Sequence, residues 1–440
     1  MTQLRTWCAD QLRVSLLLTG NELMSGDIVD SNSAMLAEKL GLFGCGIFYK
    51  ATVGDDLSLL QNEISRIAEF SDVLIVNGGL GPTVDDLTAE ALAKVMGVEL
   101  IENAEALAQL TAWCEQKNMA LNSSNRKQAI LPEGVEIIEN STGSAPGFAS
   151  IISECKVFCT PGVPYELKRM FDDEIVPRLA LGSGAKVKRH RMRLFGMGES
   201  GIQQRIIKSG FKMPKEIELG FRASIPMLEL KLQATKEQDY SALEDCLVQA
   251  RSLFGSHIVT EDSRSIAHVA KDLLIERGQR VTFAESCTGG LISSMLTELD
   301  GASNVFDAGY VTYSNAMKQA MLGVSEAALA EHGAVSELVV REMLSGALEN
   351  SGADIGVSVS GVAGPSGGTE DKPVGTVWVA WGRTDAIKAH CFYFPLDRKR
   401  FQHIVAALAF DLVRRDLLGN EDEAVYFKER ALRPGVAKPQ

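Results

Sequence analysis

Residues 284–290, Ala-Glu-Ser-Cys-Thr-Gly-Gly, place a hydroxyl (Ser286), a thiol (Cys287) and a second hydroxyl (Thr288) at three consecutive positions. An apolar run (Val281, Phe283) precedes them and an amphipathic one (Leu291, Ile292, Met295, Leu296, Leu299) follows, which reads as strand, small-residue turn and helix. A helix start carries free backbone N–H groups and a positive partial charge, so it can hold an anion or a developing oxyanion. Nucleophile and oxyanion donors then share one turn, with Gly289 and Gly290 closing it. Ser286 and Cys287 both qualify as nucleophile, and a thiol at a helix start, with its lowered pKa, is slightly favoured on chemistry alone.

Three other stretches offer partners. Residues 309–318, Gly-Tyr-Val-Thr-Tyr-Ser-Asn-Ala-Met-Lys, read as a strand ending at Thr312 and a helix capped by Ser314 or Asn315 that carries Lys318. A lysine in a dry pocket loses its proton more easily and can serve as base to a serine; a solvated helix lysine is the plain alternative. The strand Ile355–Val359 runs into the glycine-rich loop 360–368, and glycines there permit close backbone approach to a ligand at a strand's carboxyl end. Asp397-Arg398-Lys399-Arg400 then opens a helix and suits a phosphate or, equally, open solvent.

The first third holds a separate constellation. Residues 77–88 (Asn-Gly-Gly-Leu-Gly-Pro-Thr-Val-Asp-Asp-Leu-Thr) follow a buried strand, and their glycines can cradle an anion through backbone N–H groups. Asp85 and Asp86 beside such a cradle would repel a phosphate unless a divalent cation lay between, which suggests metal-assisted phosphate chemistry; helix capping is the alternative. A second polar loop, Thr19–Leu23 and Gly26–Asn32, follows the first strand.

The elements that position these groups alternate. Residues 1–12 read as a polar extension. Strands at Ser15–Leu18, Asp72–Val76 and Lys156–Cys159 interleave with helices, one of them ending at Gly41, and define a doubly wound α/β domain over 1–180. Residues 181–260 form a small α+β unit: a basic strand, a helix from Glu199, two strands, a helix and a short strand. Residues 261–424 return to α/β alternation, with strands at Val281–Ala284, Ala308–Thr312, Ile355–Val359 and Thr376–Ala380. Residues 425–440, charged and containing two prolines, are expected to be a loose tail.

The chain has 440 residues and a formal net charge of −13, which argues against broad binding to nucleic-acid backbones. Its eight cysteines are scattered, with no zinc-type set, as suits a reducing cytoplasm. No apolar run reaches membrane-spanning length, and the start lacks a signal-peptide core.

On these motifs residues 265–418 resemble the C-terminal domain of the CinA family (competence/damage-inducible protein A). Gly-Ala-Val-Ser (333–336) and Lys-Pro-Val-Gly-Thr-Val (372–377) fit as well. The resemblance implies a nicotinamide mononucleotide (NMN) deamidase, which hydrolyses the carboxamide to nicotinic acid mononucleotide and ammonia without a cofactor. By motif, Ser286 would be the nucleophile, Lys318 its base, Tyr313 a polar partner, and amides near Thr288 and Gly289 the oxyanion hole. Cys287, Gly290, Gly361, Ala363, Gly364 and Arg398 would contact the nucleotide. Gln402 and His403 stand where related domains often carry further arginines.

The N-terminal stretches, with Ser144–Gly147 and Pro161–Pro164, resemble the molybdopterin-binding MoaB/MogA-like domain that opens CinA proteins. The resemblance links it to ADP-ribose pyrophosphatase activity with Mg²⁺ or Co²⁺, giving AMP and ribose 5-phosphate. Glu22, Asn32, Gly78, Gly79, Gly81, Pro82, Thr83, Pro161, Gly162 and Glu166 would bind ADP-ribose, and Asp85 and Asp86 the metal. Asn21 replaces a common aspartate. The middle unit resembles the family's KH-like connector; its Gly198-Glu199-Ser200-Gly201 is a Gly-x-x-Gly, but Glu199 opposes phosphate and a structural role is expected. A homodimer is implied, with no membrane or direct nucleic-acid partner. The alternative function is a molybdopterin-binding, or a competence- or DNA-damage-related, protein without catalysis.

Overall fold

The computed structural model describes residues 12–179, 187–420 and 424–431. The polar extension read over 1–12 lies outside the described residues up to position 11, and Leu12 is already buried in the N-terminal core. The boundary expected at 180/181 also lies outside them. Two compact units result, residues 1–188 with 235–238 and residues 189–234 with 239–440. Among the described residues no helix is long and apolar enough to cross a membrane.

The first unit is built on a six-stranded sheet, ordered Ile47–Val53, Val14–Thr19, Val73–Asn77, Cys155–Thr160, Gly147–Ile152, Glu136–Ile138. The first four strands run parallel and the last two are added antiparallel. Continuous apolar runs such as Val-Leu-Ile-Val bury both faces, as a parallel sheet requires. Leu17, Leu74 and Val76 enter one core, while Leu16, Leu18 and Ile75 enter the other. The helix Asn32–Leu42 passes through Gly41 rather than ending there, because Phe43 and Gly44 close its last turn on Leu40 and Gly41.

In the second unit a four-stranded sheet, ordered Ile217–Ser224, Met227–Ala234, Lys188–Leu194, Ile258–Thr260, packs on the helices Glu199–Ser209 and Tyr240–Phe254. A five-stranded sheet follows, ordered Phe306–Val311, Val281–Glu285, Ile355–Gly361, Thr376–Arg383, Ala386–Tyr393. Its first three strands are parallel; past a register shift between Val281 and Phe283 against the first of them, Glu285 stands opposite both Val311 and Val359. Three strand ends therefore meet along one line, and the 20-residue helix Arg398–Leu417 covers one face.

Sequence treated the connector and the C-terminal domain as separate, yet they form one unit. Phe195 and Val259 of the connector share a core with Tyr426 and the long helix. Arg414 donates to Ser256 O and Asp411 Oδ1, Arg415 to Ser256 Oγ and Asp411 Oδ2, and Tyr426 Oη to Asp411 Oδ2 at 2.8 Å. The tail expected from 425 is corrected by the same contacts. Val425–Glu429 is a helix, and Tyr426 and Phe427 stack into the aromatic cluster of Phe392 and His390. Residues 432–440 lie outside the described residues.

Candidate active site

Ser286 follows the strand Val281–Glu285, and its amide donates to Val359 O at 3.1 Å, fixing it to the neighbouring strand. The next strand ends one residue before Thr312, and Ser314 caps the helix Asn315–Leu322 by accepting from Met317 N. Lys318 on that helix is 1% exposed. Its Nζ lies 3.0 Å from Ser286 Oγ, 2.8 Å from Thr312 O and 3.4 Å from Tyr313 O. Burial pushes the Lys318 ammonium below its ordinary range. With two carbonyls accepting its two N–H groups, a neutral amine has its lone pair left for the Ser286 hydroxyl proton.

The helix start is arranged otherwise than sequence suggested. Glu285, fully buried, turns its carboxylate onto the helix start. It accepts from Gly290 N, Ile292 N, Ser293 N and Ser293 Oγ at 2.7–3.0 Å. Gly289 N donates to Ser286 O at 3.2 Å. The Gly289 amide expected in the oxyanion hole, and the Gly290 amide expected at the nucleotide, are thus engaged within the turn. Their φ values of +64° and +97° are the left-handed conformations that make Gly-Gly necessary here. Thr288 N makes no backbone hydrogen bond among the described residues. The buried hydroxyls of Thr288 and Thr312 meet no partner among them either, so a ligand's polar atoms have two unfilled groups to satisfy beside the Ser–Lys pair.

Cys287 is corrected in the same way. Its thiol is buried, and desolvation pushes it up to about 12; Glu285 adds to the rise by taking up the helix-start charge that would have favoured a thiolate. The Cys287 carbonyl accepts from Gln402 Nε2 at 2.9 Å. Gln402, standing where an arginine was expected, therefore holds the nucleophile turn, while His403 Nδ1 lies 2.8 Å from Lys399 O within its own helix.

Arg398 opens the long helix and joins two predicted stretches. It donates to Gly364 O at 2.9 Å and to Tyr313 Oη at 3.1 Å. Gly361 and Ala363 answer to packing instead. A Cβ on Gly361 would lie 2.7 Å from Thr376 O, and Ala363 belongs to the hydrophobic core.

In the first unit the three predicted loops also converge at strand ends. Asn32 Nδ2 donates to Asn77 Oδ1 and Gly162 O, and Asn77 Nδ2 to Pro161 O. Gly78 and Gly79 lie against Thr19 and Thr88, with Thr88 Oγ1 donating to Gly78 O. Asp55, missed by sequence, accepts from Thr19 Oγ1 and Asn21 N. Asn21 returns a bond by accepting from Asp55 N, a part an aspartate side chain would play only against the Asp55 charge.

Other residues named there are placed as follows. Glu166 is buried and accepts from Asn140 Nδ2, so it braces the 140–145 loop. Glu22 is exposed and folds over Gly20, and Pro82 and Thr83 lie on an exposed turn with Gly81. Asp86 closes that turn by accepting from Thr83 N and Thr83 Oγ1. Asp85 is exposed, and its bond from Thr83 holds it below the usual carboxylate range. Among the described residues no three His, Cys, Asp or Glu side chains group as metal ligands. Asp85 and Asp86 therefore do not fit a preformed divalent-metal site.

Two α/β layers with glycine-rich loops at their strand ends, one carrying a buried serine–lysine pair, define a two-domain α/β protein. Residues 263–417 match the family model described as CinA C-terminal domain, and residues 15–181 match that of a probable molybdopterin binding domain. The chain is 49% identical to a CinA-like protein of Colwellia psychrerythraea over 95% of this chain and 98% of that one. It is 37% identical to a CinA-like protein of Syntrophotalea carbinolica over 93% of this chain and 99% of that one. A crystal structure of a CinA superfamily protein from Klebsiella pneumoniae, 36% identical, covers 36% of this chain and 99% of its own with a TM-score of 0.34. The chain belongs to the CinA family, with a MoaB/MogA-like N-terminal domain.

Proposed function

We propose that the C-terminal domain hydrolyses the carboxamide of NMN to nicotinic acid mononucleotide and ammonia. The observation that carries this reading is the buried 3.0 Å approach of Lys318 Nζ to Ser286 Oγ. Neutral Lys318 takes the Ser286 proton as Oγ attacks the carboxamide carbon. Thr312 O and Tyr313 O, already in contact with Nζ, accept from the ammonium so formed. Lys318 returns the proton to the departing nitrogen, the C–N bond breaks, and ammonia leaves an ester on Ser286. Water, deprotonated by the same amine, cleaves that ester and restores the hydroxyl. Thr288 N is the amide best disposed to stabilise the oxyanion, and Arg398 is the cation for the phosphate. The test is ammonia release from NMN by wild type, Ser286→Ala and Cys287→Ala. Activity surviving in Ser286→Ala but lost in Cys287→Ala sinks the reading.

The N-terminal glycine cradle supports a second proposal, that this domain binds a nucleotide phosphate and cleaves ADP-ribose to AMP and ribose 5-phosphate. No step through a metal is assigned, because Asp85 and Asp86 are both taken up by hydrogen bonds from Thr83. Incubation of the full chain with ADP-ribose, with Mg²⁺, with Co²⁺ and with neither, tests it; absence of AMP in all three leaves a binding domain. A homodimer working in a reducing cytoplasm completes the proposal, and sedimentation equilibrium checks the dimer.

A further inference from the structure

Within the second unit, a cavity of about 270 Å³ opens between the small sheet and the long helix, away from Ser286. Its walls are apolar: Met197, Met227 and Leu228 from the connector face Phe394, Leu408 and Tyr426. The Tyr426 hydroxyl is turned away onto Asp411, so the ring face lines the chamber. The space equals roughly nine liquid waters at about 30 Å³ each, yet apolar walls give water no partners. A chamber of this size and lining suits a single aromatic ring.

The rim carries one charge of each sign, Arg430 and Glu199. Arg430 lies there, exposed, and forms no ion pair among the described residues. The helix Glu199–Ser209 starts at the same rim, from Gly198, without a side-chain cap. These are the first residues of the Gly-x-x-Gly stretch that the catalytic reading leaves unused. An uncapped helix start and a free guanidinium both favour one carboxylate. Glu199, also at the rim, disfavours a second anionic group.

We propose that this cavity is a binding site for a small monocyclic aromatic monocarboxylate, with its ring between Met227 and Tyr426 and its carboxylate at Arg430. Its far wall is the long helix that bears Arg398 and Gln402, so a ligand here touches the element that holds the nucleophile turn. The test is ¹³C-methyl methionine NMR of the full chain, titrated with benzoate and, separately, toluene. Met197 and Met227, assigned by single Leu replacements, are expected to shift saturably with benzoate while methionines of the first unit stay still. Arg430→Gln should weaken benzoate several-fold and leave toluene unchanged. Ala223→Trp, at an exposed rim position, should abolish both shifts. Absence of saturable shifts at Met197 and Met227, or benzoate binding indifferent to both variants, overturns the proposal; binding of toluene but not benzoate overturns the carboxylate.

Discussion

Replacing Lys318 by methionine separates catalysis from folding more cleanly than any other change at this site. The side chains are close in volume, and Lys318 sits 1% exposed in the middle of its helix. The variant loses the amine that lies 3.0 Å from Ser286 Oγ. General-base assistance contributes about 10²–10⁴-fold, so kcat should fall by that factor, or roughly 2.7–5.4 kcal/mol of barrier. Folding changes less. Thr312 O and Tyr313 O lose a donor at about 1–3 kcal/mol each, offset by no longer burying an amine. The pH dependence has a definite sign. Lys318 is held below its ordinary 10.5, so the unfolded chain binds the proton more tightly than the folded one. Its contribution to stability is therefore present above the unfolded value and is lost as pH falls through the folded one. Activity should rise with pH through that same lowered value. Steady-state ammonia release across pH, with urea unfolding of both proteins, checks both parts. If Lys318→Met keeps more than about a tenth of wild-type kcat, lysine is not the base.

Three further outcomes follow from the same geometry. Cys287→Ala should keep activity within a few-fold of wild type, and the native thiol, pushed up to about 12, should resist iodoacetamide at neutral pH until the protein unfolds. Glu285→Ala leaves three buried amides and a hydroxyl without their acceptor and should cost about 3–5 kcal/mol, read by urea unfolding together with a gain in Cys287 alkylation. Asp411→Ala strands Arg414 and Arg415, 2% and 6% exposed, and should cost about 3–5 kcal/mol, with Tyr426 becoming accessible in hydrogen exchange and near-UV absorption.

Sequence read most of the scaffold because parallel strands announce themselves. Val73–Asn77, Cys155–Thr160 and Ile355–Gly361 are buried runs rich in apolar residues with a glycine at or within two residues of their ends, and sequence places each within two residues. Ser286 and Lys318 were legible as chemistry, but their contact was not, since it depends on the register that sets Glu285 beside Val311. Glu285 itself escaped notice because an acidic residue at a strand end reads as solvent-facing. Gln402 looked like a lost arginine because its partner is a backbone carbonyl 115 residues away, which no local pattern reveals. The carboxylates Asp85 and Asp86 show the limit of residue type alone: their types suit a metal, while the local turn chemistry of Thr83 engages Asp86 within the chain. The tail misled because composition registers charge and proline but not that Tyr426 and Phe427 have an aromatic cluster waiting.

Under the proposed deamidase reading, the preference for hydroxyl over thiol rests on one neighbouring side chain. Ser286 and Cys287 share a turn, so any helix-start field would reach both and favour the thiol, the more acidic of the two. Glu285 removes that preference. Its carboxylate takes the donors at Gly290, Ile292 and Ser293, and its charge adds to the desolvation that keeps Cys287 protonated. A serine gains nothing from a helix dipole at neutral pH, because its proton must be removed by a base rather than by a field. In the proposed mechanism the base comes from another strand end, a lysine that two carbonyl contacts orient and whose burial weakens its hold on the proton. On the proposed mechanism, capping the helix with a carboxylate and delivering an amine from the neighbouring strand are complementary: the first disfavours the thiolate, the second would activate the serine, and neither would select a nucleophile alone.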